Sequence, residues 1–481
     1  MGNAISNDTD LCLTIDQGGH ATRAAVFDDQ GRLVARHTVA VTAQRPAHDR
    51  VEYPARQVLD SIREAVTAVC AATGKGRARI TAAGLATQRS NIACWDRDSG
   101  QPLSPILSWQ DNRASRWIGA YRDHSALIHD ITGLFPSPYY GVGKLHWCLD
   151  HLPAVRNALE QGCLHGGPMA SLLLHHLLRE RPALSDPVNA ARTLLYDIRQ
   201  LQWSDTLLDL FSFPAEILPE CSNNEATFGS LNIAGSPLPL TIMTGDQSAA
   251  LFASGITDNS TAHVTIGTGA FIQRLTGTTR CHDPHLLTSI VHRSTDQTWY
   301  SLEGTVNGAG NAVDYFAAQW NIDEPGTRLP RWLEQIPQPP LFVNTFSGLG
   351  TPYLRAGLPW RFIPDAEPPQ QMVAIIESIV FLLCLNLELL SRHPPALQRI
   401  HIGGGLSQLD GLCQRLADLS SLMVVRNDDS ETTARGLAFL LLQRPQRWST
   451  PEPGIFEPHA APALHERYSR WKTLMEQHCH G

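Results

Sequence analysis

The sequence predicts an α/β protein of two domains, built from one α/β unit used twice, with a cleft between the copies. Three observations carry this reading. The chain has 481 residues, too many for one ordinary hydrophobic core, so two large domains are the default. A strand, a glycine turn and a second strand run from Leu11 to Phe27, and the same series returns from Ala262 to Leu275. A helix followed by a strand comes later in each half. Such a duplication sets the glycine turns on facing walls of an interdomain cleft. The domains are expected over residues 1–252 and 253–481, with the boundary in the loop-like stretch Leu251 to Ser260.

The elements follow in order. Leu11 to Ile15 reads as a strand, Arg23 to Phe27 as its hairpin partner, and Arg32 to Val41 as a third strand entered through the turn Asp28 to Gly31. Pro54 to Thr73 has helical spacing, with Val58, Ile62, Ala65, Val66 and Val69 on one face. Arg79 to Leu85 returns to a strand. In the second half, Ala262 to Ile266 and Ala270 to Leu275 flank Gly267-Thr268-Gly269. The zone Gln335 to Pro369 is rich in proline and glycine and is expected to line or cap the cleft. A helix from Gln371 to Ser391 precedes Arg399 to Gly405, a strand ending in three glycines. Glu377, Asn386 and Glu388 interrupt the most apolar run, Met372 to Leu390, so it reads as a buried helix rather than a membrane span.

Composition excludes several function classes. With 43% hydrophobic and 17% charged residues, the chain suits a soluble globular protein. Its net charge of -8 offers no general attraction to nucleic acid or an anionic membrane. Met1 to Asp10 lacks the basic start and apolar run of a signal peptide. Ten cysteines without a CxxC pair read as reduced, mostly buried thiols, which points to a cytoplasmic protein. The tail His478-Cys479-His480 offers metal ligands, but a frayed terminus is the simpler reading.

The chemistry lies in the turns. Asp16-Gln17-Gly18-Gly19 ends a strand with a carboxylate and a tight turn of free backbone N–H groups, a pattern suited to a phosphate chain and its metal. Asp16 would hold a water of the Mg²⁺ shell. Taken alone this is also an ordinary hairpin. Thr265 to Ala270 and Gly403 to Ser407 add two more glycine turns after strands, which fits one nucleotide held between two domains. In Met243 to Ala250, Asp246 stands at the tip of an apolar strand. There it can accept a proton from an attacking hydroxyl, or serve as N-cap of the next helix.

Many ordered blocks then match one family. They include Asp16-Gln17-Gly18, Gln88-Arg89, Cys94-Trp95-Asp96-Arg97, Trp109-Gln110-Asp111-Asn112-Arg113 and Ser137-Pro138-Tyr139-Tyr140. Gly245-Asp246-Gln247, Gly267-Thr268-Gly269, Leu302-Glu303-Gly304, Gly404-Gly405 and Glu431-Thr432-Thr433 continue the series. From Leu11 to Leu442 the chain resembles the FGGY family of carbohydrate kinases, and within it the glycerol kinases. The resemblance implies an actin- and hexokinase-type fold of two ribonuclease-H-like domains around a central cleft. It also implies phosphorylation of a polyol or sugar hydroxyl by ATP with Mg²⁺. By position, Asp246 matches the catalytic base and Asp16 the magnesium-side acid. Gly18, Gly19, His20 and Arg23 match the first phosphate turn, Gly267 and Thr268 the second, and Gly404 and Gly405 the adenosine site. The substrate cradle falls on Arg89, Ser90, Trp109, Tyr139, Asp246, Gln247 and Phe271. Homologous kinases are often dimers or tetramers, so a homo-oligomer is compatible with the resemblance.

From residue pattern alone, Trp109 and Tyr139 fit either a core or a cleft, Arg89 a structural ion pair, and Phe271 a core position. The chain also departs from the family. Glycerol kinases carry a glutamate after the arginine, where this chain has Ser90. The pocket should therefore be larger and hold glycerol less well, favouring a ketose or a longer polyol, with Ser90 and Asn91 as replacement partners. Gly19 and His20 replace two threonines of the first phosphate turn, Gly403 replaces an aspartate, and Leu409 an asparagine. These changes sustain an alternative, a weak or inactive homologue that binds a sugar for regulation. The presence of both Asp16 and Asp246 favours the active enzyme, and the cradle residues disfavour an actin-like filament protein.

Overall fold

The computed structural model describes residues 10–73, 80–233, 236–255, 258–426 and 431–480. Met1–Thr9, Arg79 of the expected strand Arg79 to Leu85, and Ile256–Thr257 of the expected boundary stretch lie outside the described residues.

Two sheets organise the molecule. The first has six strands in the order Glu225–Ile233, Ser236–Gly245, Ile80–Thr87, Leu11–Gln17, Ala21–Asp28, Leu33–Ala40. Leu11–Gln17, Ile80–Thr87 and Ser236–Gly245 run parallel, and their outer neighbours are antiparallel. The second has seven strands, Leu287–Arg293, Thr298–Val306, Ala270–Gly277, Thr261–Ile266, Arg399–Gly403, Met423–Arg426, Gly454–Phe456. Here Thr261–Ile266, Arg399–Gly403 and Met423–Arg426 are the parallel trio. Each trio begins with a strand whose other edge pairs antiparallel with its hairpin partner. The duplication read from two glycine turns is thus a repeat of sheet topology, and the α/β class is correct.

Local sequence explains the layers. The three central strands of the first sheet are apolar on both faces, as parallel strands covered on both sides must be. Helix Ala55–Ala72 covers one face, burying Val58, Leu59, Ile62, Ala65, Val66 and Val69 against the strands. The other face receives Thr432–Leu441, whose Leu437 and Leu440 pack with Ala86 and Ile242. In the second half, helix Pro368–Leu390 fills the core. It is apolar enough to cross a membrane, with mean hydropathy 2.2, yet 89% of that window is buried within the protein. Its buried Glu377 pairs with Arg467, and Asn386 bonds Thr351. These polar partners are why the buried-helix reading holds.

A third apolar cluster lies between the first sheet's strands in sequence. It packs around a five-stranded sheet that includes Arg50–Tyr53, Ile106–Leu107 and Ile92–Asp96. This part carries Trp109 and Tyr139. Two expectations need correction. The tail is not frayed: helix Pro462–His480 continues to the end of the described residues, and Cys479 is buried with its carbonyl bonded by Arg355. Among the described residues, no group of three or more His, Cys, Asp or Glu side chains is placed to hold a metal ion. The Gln335–Pro369 zone is not wholly irregular, since Leu341–Val343 pairs with Arg361–Ile363.

Helix Thr432–Leu441 reaches the first sheet only because position 436 has no side chain. A Cβ on Gly436 would stand 1.8 Å from the Ala249 carbonyl oxygen of the crossing helix Asp246–Ala250. We expect Gly436→Ala to force the two helices apart and lose about 1–3 kcal/mol, read as a lower urea midpoint. An unchanged midpoint would show that the crossing relaxes freely.

Candidate active site

In both sheets the parallel strands end on the same edge, the position where open α/β sheets gather ligand-binding residues. In the first sheet, register aligns Gln17 with Thr87, and Thr87 with Gly245. Asp16, Arg89 and Asp246 therefore emerge side by side from three adjacent strand ends. In the second sheet Thr265 aligns with Gly403, so the Gly267 and Gly404 turns are neighbours.

Asp16 is buried and faces Arg23 across the hairpin, with Arg23 Nη1 at 3.6 Å from its carboxylate. Burial and the nearby Asp246 carboxylate push its pKa up to about 7, against the opposing pull of Arg23. The hairpin closes through Gly18 N–H to Ala21 O at 3.0 Å. Tyr53 donates to Gly19 O at 3.0 Å. A Cβ on Gly19 would stand 2.8 Å from Gln88 Nε2, the movable end of that side chain. The His20 side chain is exposed.

Asp246 opens the short helix Asp246–Ala250, and Gly245 occupies the cap position. The N-cap reading of Asp246 is therefore corrected: its carboxylate lies inside the first turn, accepting Gln247 N–H at 2.7 Å. Burial raises its pKa, and Arg89 and Arg192 oppose the rise. Gly245 is required, because a Cβ there would meet Arg89 Cγ at 2.5 Å.

Arg89 does form an ion pair. It donates to Glu303 Oε1 at 3.1 Å and to Gln247 Oε1. Arg192 donates to the other Glu303 oxygen at 2.6 Å and to Ser289 Oγ at 2.8 Å, while Gln273 Nε2 reaches Glu303 at 2.7 Å. Glu303 is 1% exposed, and the two arginines hold its carboxyl well below the usual range despite the burial. This cluster joins the first sheet to the strand Thr298–Val306 of the second. Glu303, Arg192 and Gln273 were not singled out as site residues. Glu303 enters only through the family-matching block Leu302-Glu303-Gly304, and it is the one acid of the otherwise uncharged stretch Thr298–Val306.

Trp109 and Tyr139 are half-buried, with ring centroids 5.1 Å apart. Arg89, Arg192 and Asp246 all lie close enough to influence Tyr139, whose hydroxyl burial makes harder to ionise. Ser90 has a left-handed backbone (φ 65°) and is 4% exposed, and its Oγ has no hydrogen-bond partner within the protein. Phe271, assigned to the core by alternation, is only half-buried. It lies two residues from Gln273, on the same face of its strand.

The second sheet supplies exposed backbone. Gly267, Thr268, Gly404 and Gly405 are all exposed, and Gly405 has nothing within 4 Å of a built Cβ. Gly404 has φ 92°, and its would-be Cβ collides with Ile266 O at 2.4 Å, so only glycine fits. Asn311 N–H donates to Thr268 O at 3.0 Å, and Asn311 Nδ2 to Ser347 Oγ at 2.9 Å, which braces this turn from the Gln335–Pro369 zone.

Residues 11–264 match the N-terminal domain, and residues 262–442 the C-terminal domain, of the FGGY family of carbohydrate kinases. The chain belongs to that family. This FGGY kinase is 34% identical to the glycerol kinase of Rhodospirillum rubrum over 443 residues, 89% of each chain. Its fold matches the crystal structure of Plasmodium falciparum glycerol kinase with ADP, with TM-score 0.85, 23% identity and 98% of both chains covered. It also matches the xylulose kinase of Rhodospirillum rubrum, with TM-score 0.83, 18% identity and coverage of 97% and 98%. It is a carbohydrate kinase, a phosphotransferase with an alcohol group as acceptor.

Asp16 is buried and Asp246 half-buried, and their two carboxylates are oxygen donors of the kind a divalent cation takes. The raised pKa of Asp16 has a consequence for stability. Its ordinary value is 3.8, so between about pH 4 and 7 unfolding releases its proton and stability falls as pH rises. Without nucleotide or Mg²⁺, Asp16→Asn should raise the melting temperature clearly at pH 8 and little at pH 4.5. An equal gain at both values would mean that Asp16 is ionised in the ligand-free protein.

Proposed function

We propose that the chain transfers a phosphoryl group from ATP to a hydroxyl of a ketose or of a polyol longer than glycerol. The cleft between residues 1–252 and 253–481 is the site. The observation that carries the reading is the meeting of Asp16 and Asp246 at adjacent strand ends, each with a raised pKa and Asp16 raised partly by its neighbour.

Asp246 is the base for the acceptor hydroxyl, and its neighbours Arg89 and Arg192 favour the ionised form that a base needs. Asp16 holds the Mg²⁺ of the nucleotide, and the ion, when bound, neutralises charge on the phosphate oxygens. Gly18, Gly19, His20 and Arg23 line the phosphates on one wall, and the exposed Gly267 and Thr268 on the other. Gly404 and Gly405 admit the adenosine. Arg89, Ser90, Trp109, Tyr139, Gln247 and Phe271 form the acceptor cradle with Asp246. Closure of the cleft keeps water from competing for the phosphoryl group.

The preference over glycerol rests on Ser90. A short side chain with a buried, unpartnered Oγ leaves room and one unused hydrogen-bonding group beside Arg89. The absent carboxylate would have supplied a charge-assisted bond of about 1.5–3 kcal/mol, roughly ten- to a hundredfold in affinity.

ADP release should be measured with MgATP across C3 to C7 polyols and ketoses. We expect turnover best on an acceptor other than glycerol, reduced about 10²–10⁴-fold by Asp246→Asn with acceptor binding retained. Full turnover in that variant would remove Asp246 as base. Binding without turnover on any acceptor would favour an inactive regulatory homologue. Ser90→Glu should shift kcat/KM towards glycerol by roughly ten- to a hundredfold; an unchanged ranking would remove Ser90 from the specificity argument.

A further inference from the structure

We propose that Lys144 is a positioning residue of the acceptor cradle, a buried three-way tie that sets the spacing of the loops carrying Ser90, Trp109 and Tyr139. The proposal rests on the carbohydrate-kinase reading of the cleft.

Lys144 lies in the first turn of helix Gly141–His151 and is 0% exposed. Its Nζ donates to Ser90 O at 2.7 Å, to Ser108 O at 3.0 Å and to Tyr139 O at 2.9 Å. An ammonium has three donors and no acceptor, so its capacity is filled by these three carbonyls. Each carbonyl belongs to a different segment of the cradle. Ser90 follows Arg89, Ser108 precedes Trp109, and Tyr139 is itself a cradle residue.

Charge pairing does not account for the lysine. The nearest acid affecting it, Asp111, has its oxygens engaged by Arg113 and by Val51 N–H. Burial draws the lysine's pKa down to about 7, with Asp111 opposing the fall, so the site is costly for a cation. A cation kept there without a paired carboxylate is explained by what it holds. Other bonds extend the tie. Asn91 Oδ1 accepts Trp109 N–H at 2.7 Å, linking the first two segments. Gly141 and Val142 N–H donate to Arg192 O and Thr193 O at 3.1 and 2.8 Å, so the helix bearing Lys144 is also fixed to the arginine of the Glu303 cluster. Removing the ammonium takes the Lys144 donor from the Ser90 and Tyr139 carbonyls, leaves Ser108 O with the Asp111 N–H at 3.1 Å, and frees the segments to separate.

The test is Lys144→Met, with Lys144→Gln as a second variant, in the full chain. With the acceptor that the wild type turns over fastest, the acceptor KM should rise tenfold or more while the KM for MgATP stays within twofold. Hydrogen exchange supplies a readout that needs no acceptor. Peptides covering 88–92, 107–112 and 137–141 should exchange at least tenfold faster together, with 11–23 and 261–270 unchanged. If the wild type turns over no acceptor, the kinase reading fails on its own and the exchange pattern still decides the role of Lys144. Unchanged exchange in the three segments overturns the proposal. So does faster exchange spread over the whole chain, or failure of both variants to fold, since each makes Lys144 a general stabiliser.

Discussion

The carboxylate of Glu303 is a buried point at which the two halves of the molecule meet. It stands within the second sheet, yet two of its partners, Arg89 and Arg192, come from the first half of the chain. Taking three charges out of water is expensive, and such a cluster contributes little net stability compared with apolar packing. What it provides is register. A guanidinium binds in a planar fork and tolerates few geometries, so the Arg89–Glu303 pair limits how the first sheet's edge can approach the second. Arg89 also reaches Gln247, next to Asp246. The contact that joins the halves thus places the cluster beside the proposed base.

The strand ends explain why the remaining groups converge. Parallel neighbours finish on one edge, and a chain that places an acid or an arginine just past the end of each delivers them together without further design. Asp16, Arg89 and Asp246 are separated by more than two hundred residues of sequence but by three adjacent strands in space. The second sheet uses the same edge for bare backbone instead of side chains. One wall is therefore rich in charge and the other in bare backbone. That division suits a ligand carrying phosphates between a metal-side acid and a glycine turn.

Much of this was legible in the sequence because it depends on short-range rules. The Leu11–Gln17 hairpin, the amphipathic helix Ala55–Ala72, the buried helix Pro368–Leu390 and the glycine turns each follow from local periodicity or from backbone freedom. The groups that escaped notice act over long separations. Arg192 and Glu303 are 111 residues apart, and Lys144 and Ser90 are 54 apart. No local pattern marks a lysine whose partners are all main-chain carbonyls. The frayed-tail reading and the N-cap alternative for Asp246 failed for a related reason. Terminal fraying and N-capping are average tendencies, and they gave way here to the burial of Cys479 and to the need to present Asp246 from a turn capped by Gly245.

The same site shows where folding and function pull apart. Asp16 and Asp246 would each be more comfortable ionised in water, and each is held where burial opposes that form. Nothing in the apolar packing of the first sheet requires an acid at either strand end. On the proposed function a cation joins them for part of the cycle, and it would reverse the electrostatic balance that raises both pKa values. The Glu303 cluster differs in this respect. Its charges are compensated within the protein. A compensated cluster thus stands beside two carboxylates whose pKa values burial raises, and on the proposed function it is ligand binding, rather than folding, that completes the electrostatics of the site.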